Sequence, residues 1–175
     1  GYRRLGVMLR RTVVRAGDDL WMVIDELHGR GPHKARVSWL LEDRPAPHLS
    51  QDQHKLALPD DDLTILVDGP DIRLGLYRAG AHVAGEILPD APPTWGWFSP
   101  TYAVREPALS LACELRAEPP LRWATWFCFG DARPSDVSID WRVPGEGLTP
   151  FLRVDFDGDH LTAEAVGIAS GESTT

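Results

Sequence analysis

The sequence predicts an all-β chain, an antiparallel β-sandwich of about a dozen strands, on three observations. Apolar and polar residues alternate with period two through most of its length, turn residues break that alternation at short intervals, and helical periodicity is hard to find. A dozen short strands on 175 residues are too many for one open sheet. They should divide into two packed sheets or close on themselves.

In chain order the expected strands are Leu5 to Arg15, Leu20 to Gly29, Lys34 to Glu42, Lys55 to Leu58, Leu63 to Val67 and Ile72 to Tyr77. They continue with His82 to Leu88, Ala108 to Arg116, Leu121 to Phe129, Val137 to Trp141, Phe151 to Phe156 and Leu161 to Ile168. Between them stand Ala16-Gly17-Asp18-Asp19, Gly29-Arg30-Gly31-Pro32, Asp68-Gly69-Pro70-Asp71 and Asp157-Gly158-Asp159, each with a glycine where a positive φ is useful. The last is the cleanest hairpin signal. Pro89 to Pro107 is the least regular stretch and reads as a long loop or an edge excursion, and Pro144 to Pro150 is a second break. A single domain over 1–169 is expected, with 170–175 as a frayed tail lacking apolar residues to dock.

Composition excludes several classes. The longest unbroken apolar run, Leu20 to Ile24, is far short of the ~18 residues of a membrane-spanning helix, so no membrane span is expected. The chain carries 18 Lys+Arg against 26 Asp+Glu, a net charge of -8. The charge is unevenly placed: five arginines and no acid in residues 1–15 sum to +5, and the remaining 13 bases and 26 acids sum to -13. A body this acidic repels polyanions, which argues against nucleic acid as a partner. The basic first strand could still meet one acidic ligand. Gly1-Tyr2-Arg3-Arg4, without an initiator Met, reads as the start of a piece cut from a longer chain, which the resemblance below implies is its C-terminal part. The two cysteines, Cys113 and Cys128, flank an expected hairpin turn at Glu118-Pro119-Pro120. That pairing would set Cys113 near Ala124 and leave both as buried free thiols.

Few residues invite chemistry. His28 and His33 could converge across the Gly29–Pro32 turn if their strands form a hairpin, but no metal-ligand spacing accompanies them, and partly exposed turn histidines are the simpler reading. His48, His54, His82 and His160 lie in or beside loops without recognisable partners. There is no Gly-x-Ser-x-Gly, phosphate-cradling glycine loop or framed carboxylate pair. On the first strand Arg11 and Arg15 face one way and Arg10 the other. Pairing about Gly17-Asp18 sets Arg10 opposite Asp25, so Arg10–Asp25 is the expected structural ion pair, and a one-residue bulge would transfer it to Arg11. Arg3, Arg4 or Arg11 would then be free to hold a carboxylate or sulfate of an acidic sugar in a bidentate fork. Trp95, Trp97, Phe98 and Tyr102 crowd into irregular chain, where they either plug the sandwich edge or stack on sugar rings. Trp21, Trp39, Trp123, Trp126 and Trp141 lie within strand patterns and read as core or sheet-face residues.

Two stretches resemble heparinase II/III-like proteins. Gly1-Tyr2-Arg3-Arg4-Leu5, Arg10 to Val14, and Trp21 to His33 with Val37 to Leu41 are similar to the opening of that family's C-terminal region. Gly96 to Leu109 (GWFSPTYAVREPAL) is similar to a stretch near the end of the same region. Together the resemblance covers roughly residues 1–130.

The resemblance implies a polysaccharide lyase built from an N-terminal helical toroid and a C-terminal antiparallel β-sandwich, with an acidic polysaccharide held between them. Such enzymes cleave by β-elimination at a uronic acid, which requires neutralising the carboxylate and placing a base, often Tyr or His, at the proton beside it. In the family most of that machinery lies on the toroid and on a His-Asn segment upstream of this chain, so no catalytic residue is expected here. The expected partners are therefore an acidic polysaccharide and the toroid of the same parent chain, and the implied location is periplasmic or secreted. Arg3, Arg4, Arg11, Trp95, Trp97 and Tyr102 are the candidate substrate contacts. Leu9 stands where some relatives carry a histidine for a metal and Ala103 replaces a common glycine, so neither metal nor cofactor is expected. A stand-alone carbohydrate-binding module and a purely structural sandwich are the alternatives.

Overall fold

The computed structural model describes residues 6–16, 18–58, 62–130, 138–141, 151–156 and 159–164. Arg3, Arg4, the break at 144–150 and the tail at 170–175 lie outside them. The chain divides into two compact units, 1–131 and 132–175.

In the first unit, β1 (Met8–Ala16) and β2 (Leu20–His28) form an antiparallel hairpin, as their alternation predicts. The chain then enters β3 (His33–Leu41), β4 (His48–Ser50), β5 (Lys55–Leu58), β6 (Leu63–Asp68), β7 (Arg73–Arg78) and β8 (Ala81–Gly85). An excursion carries the short β9 (Trp97–Phe98) and β10 (Glu106–Pro107), followed by the long β11 (Leu109–Ala117) and β12 (Leu121–Phe129). These strands make a six-stranded sheet of order β1-β2-β12-β6-β5-β4, a four-stranded sheet of order β3-β11-β7-β8, and the β9–β10 ribbon. The second unit is a three-stranded antiparallel sheet of β13 (Ser138–Trp141), β14 (Phe151–Phe156) and β15 (Asp159–Glu164). Phe156 there pairs with Asp159, the hairpin expected at Asp157-Gly158-Asp159.

The two larger sheets pack face to face. Leu27, Leu56, Ile65 and Trp123 of one meet Leu74, Leu111 and Leu115 of the other in a single apolar cluster, all of them buried. The fold is therefore an antiparallel β-sandwich, and neither sheet closes into a barrel. β12, central in its sheet, is apolar on both faces, with Leu121 and Trp123 on one, Ala124, Trp126 and Cys128 on the other, all buried.

Three expected neighbourhoods are corrected. The turn at Gly29–Pro32 joins β2 to β3 across the two sheets, so it is no hairpin and the condition for His28 and His33 to converge as cross-strand partners is not met. The link at 118–120 likewise crosses from β11 to β12, so Cys113 has no register with Ala124. Both cysteines are nonetheless free and buried, as expected. Turn residues of the same kind serve either a hairpin or a sheet change, and local sequence does not distinguish them.

The third correction is the register of the first hairpin. Ala16 pairs with Leu20, so Arg11 stands opposite Asp25 and Arg10 opposite Glu26. The expected Arg10–Asp25 pair does not form. A shift of one residue transfers a partnership to the opposite face of the sheet.

Candidate functional site

Two regions gather the residues singled out in the sequence. The first is the edge of the sandwich where β1 overlies β3. Arg11 donates from Nε to Asp25 Oδ1 at 2.7 Å and from Nη2 to Oδ2 at 2.9 Å, a two-pronged pair with a fully buried carboxylate. Its guanidinium lies 5.0 Å from the ring centroid of Trp39, which meets Phe127 edge-on at 5.1 Å. Arg11 is thus committed to a structural pair rather than free, although 44% of its side chain still faces solvent. Arg15 stacks on Trp21 at 5.4 Å and pairs with Asp18. On the opposite face Glu26 lies between Arg10, at 3.6 Å, and Arg122, which donates from Nε at 2.9 Å.

The second region is the excursion after β8, and it divides the aromatic cluster. Trp95 is half-buried against Tyr77 (centroids 4.9 Å apart) and beneath the Arg36 guanidinium (5.2 Å), so it plugs the outer side of the four-stranded sheet. Gly96 fixes that seat. Its φ is 75°, a Cβ there would lie 2.5 Å from Arg78 Cα, and its carbonyl accepts from the N–H groups of Ala79 and Ala108. Trp97 is half-buried, with Arg105 over its ring at 5.9 Å. Beyond it the β9–β10 loop turns outward, and Tyr102 at its tip is 99% exposed. The loop is stapled from within: the Ser99 hydroxyl lies 2.9 Å from the Thr101 carbonyl and 2.8 Å from that of Val104, and the Val104 N–H donates to Thr101.

One cluster escaped the sequence reading. Glu114, in the middle of β11, is fully buried, and its carboxylate accepts from Arg36 and from Arg116 Nε (2.9 Å), with Arg73 at 3.9 Å. Burial pushes its pKa up, but the hydrogen bonds and charges of Arg36 and Arg116 more than offset this and hold it below the ordinary range. A lone acid between Cys113 and Leu115 was the available signal, since a buried carboxylate demands cations. Arg116 stands two residues along the same strand, whereas Arg36 and Arg73 come from β3 and β7, which only the register reveals.

Among the described residues, no group of three or more His, Cys, Asp or Glu could hold a metal ion. Burial pushes Cys113 up to about 12 and Cys128 up to about 11, so neither supplies a thiolate near neutral pH. No described helix is long and apolar enough to cross a membrane.

The fold was compared with solved structures. A heparinase III gene product superposes with a TM-score of 0.63 at 12% identity, over 91% of this chain and 24% of that one. The fold is one that heparinase III chains contain. The heparan sulfate lyase HepC from Pedobacter heparinus matches with a TM-score of 0.57 at 14% identity, over 95% of this chain and 25% of its own. Another heparinase III gives 0.52 at 11% identity, over 90% and 25%. The chain thus spans about a quarter of the length of the lyases it matches. No family model and no curated protein matches the sequence. At these identities the likeness is one of fold, and it agrees with the resemblance read from the two sequence stretches.

Proposed function

We propose that this chain is the C-terminal β-sandwich part of a heparinase III-like polysaccharide lyase, shaping the groove for an acidic polysaccharide beside a helical toroid of the same parent protein. The observation that carries this reading is the fold likeness over nine-tenths of the chain to about a quarter of each lyase chain. In such a reaction a base removes the proton beside the uronate carboxylate and the glycosidic C–O bond breaks, leaving a carbon–carbon double bond and a released sugar hydroxyl. Arg11, Trp97 and Tyr102 are the described candidates for touching the sugar: a half-exposed guanidinium, an indole under Arg105 and an open phenol. Trp95 is the weakest of the candidates, since its ring is occupied by Tyr77 and Arg36.

The test is turnover. The 175-residue chain, mixed with heparin, heparan sulfate or alginate, should give no rise in ultraviolet absorbance from unsaturated product. The parent protein with its helical part should give one, and a steady rise from the chain alone would overturn the division of labour. A second reading, a carbohydrate-capturing module independent of any toroid, is favoured by the exposure of Tyr102 on a stapled loop. It requires the isolated chain to bind polysaccharide and Tyr102→Ala to weaken that binding severalfold.

A further inference from the structure

We infer that the outer face of the four-stranded sheet holds a second anion seat, formed by Lys34 and Arg116, that takes a sulfate or carboxylate group of an acidic saccharide. The inference rests on the polysaccharide reading for the identity of the ligand, and on geometry for the seat. Arg116 and Lys34 are direct cross-strand partners in the β11–β3 register. Two like charges set directly opposite on neighbouring strands, with Cβ atoms about 5 Å apart, weaken a sheet. In a chain whose net charge is -8, that juxtaposition is not a by-product of general basicity.

The ends of both side chains are available. Arg116 spends only Nε, on Glu114, and its side chain is 53% exposed; its two terminal nitrogens have no partner among the described residues. Lys34 is 39% exposed and among the described residues meets one acid, Asp90, at 3.6 Å, whose own side chain is 86% exposed. The seat is also held in place. The buried Glu114 anchors Arg116 from below, while Arg36 is fixed by the carbonyls of Pro89 and Asp90 and Arg73 is drawn to Glu86. The facing acids are therefore Glu114, Glu86 and Asp90 against Lys34, Arg36, Arg73 and Arg116, one positive charge in excess. A guanidinium already held by its Nε presents its terminal nitrogens as a donor edge to one anionic group, with the Lys34 ammonium beside it.

The experiment is calorimetric titration of the 175-residue chain with a heparin-derived octasaccharide at constant ionic strength. Arg116→Ala and Lys34→Ala should each weaken binding on the order of tenfold, the loss of a charged hydrogen bond. The charge-matched control Arg30→Ala, at the exposed β2–β3 turn, should stay within about twofold, as a solvent-screened charge outside the Lys34–Arg116 pair. Inorganic sulfate should displace the octasaccharide better than chloride of equal ionic strength. If Arg116→Ala fails to fold because Glu114 loses a partner, Lys34→Ala, whose ammonium pairs with the exposed Asp90 and not with Glu114, decides alone. Wild-type affinity in both variants, an equal loss in Arg30→Ala, or sulfate acting no better than chloride would overturn the seat and leave the polysaccharide reading standing. An octasaccharide that does not bind the wild-type chain overturns the seat and the toroid-independent module together, while the lyase reading is judged by turnover of the parent protein.

Discussion

Asp25 and Glu114 are both fully buried carboxylates in central strands, yet they are held in opposite ways. Asp25 lies between the sheets and is gripped by one arginine, Arg11, through a single fork of two hydrogen bonds at 2.7 and 2.9 Å. Glu114 lies on the outer side and shares three arginines from three strands, Arg36, Arg73 and Arg116. A buried charge with one partner is lost when that partner goes, whereas one with several is only weakened. The first arrangement stabilises a hairpin edge, and the second ties three strands and the excursion together.

The sharpest way to break the comparison is to remove one arginine from each. Arg11→Ala strands the Asp25 carboxylate and should cost about 3–5 kcal/mol in urea unfolding. A loss under about 1 kcal/mol would mean that Asp25 is relieved some other way. Arg36→Ala leaves Glu114 with Arg116 and Arg73, so the expected loss is about 1.5–3 kcal/mol, that of hydrogen bonds to a charged group. Equal losses for the two variants would erase the distinction between single and shared partners.

Acid sharpens it further. Because the Glu114 pKa is lowered in the folded chain, its ion pairs contribute stability that is fully present above the ordinary glutamate value of about 4.3 and is lost as pH falls through the folded value. Unfolding midpoints of the wild type should therefore fall more steeply below about pH 4.3 than those of Glu114→Gln. Parallel profiles would show that Glu114 does not bear the charge described. The smallest expected effect is in the stapled loop, where Ala103 has a φ of 62°. Ala103→Gly should raise stability by about 1 kcal/mol, the relief of a left-handed non-glycine residue, without moving the Ser99 staple. A destabilised variant would place the strain elsewhere.

Much of the fold was legible because strand formation is local. Alternation alone located β1, β2, β3, β11 and β12, and turn residues separated them correctly. Sheet membership was not legible, because Gly29-Arg30-Gly31-Pro32 and Glu118-Pro119-Pro120 look like hairpin turns and instead pass between sheets. The candidate site shows the same division. Asp25 was rightly matched to the basic first strand, but the register is one residue away from the simplest one, and the partner is Arg11. The three-residue β4 was too short to show an alternation. Glu114 was passed over because Arg36 lies 78 residues away and Arg73 belongs to a third strand.

The order β1-β2-β12-β6-β5-β4 has a consequence for how the molecule comes into being. β12 is the bridge between a hairpin made at the start of the chain and a meander made in its middle, and it is the last strand of that sheet to be synthesised. Until residue 129 has left the ribosome the sheet exists only as two separate pieces, and β3 lacks its neighbour β11 until residue 117. Assembly must therefore wait for pairings distant in sequence, which places this sandwich among the slow folders of the ms–s range. The nascent chain meanwhile exposes the edges of β2 and β6, each awaiting the same late strand, and at that stage it is most open to pairing with another copy of itself.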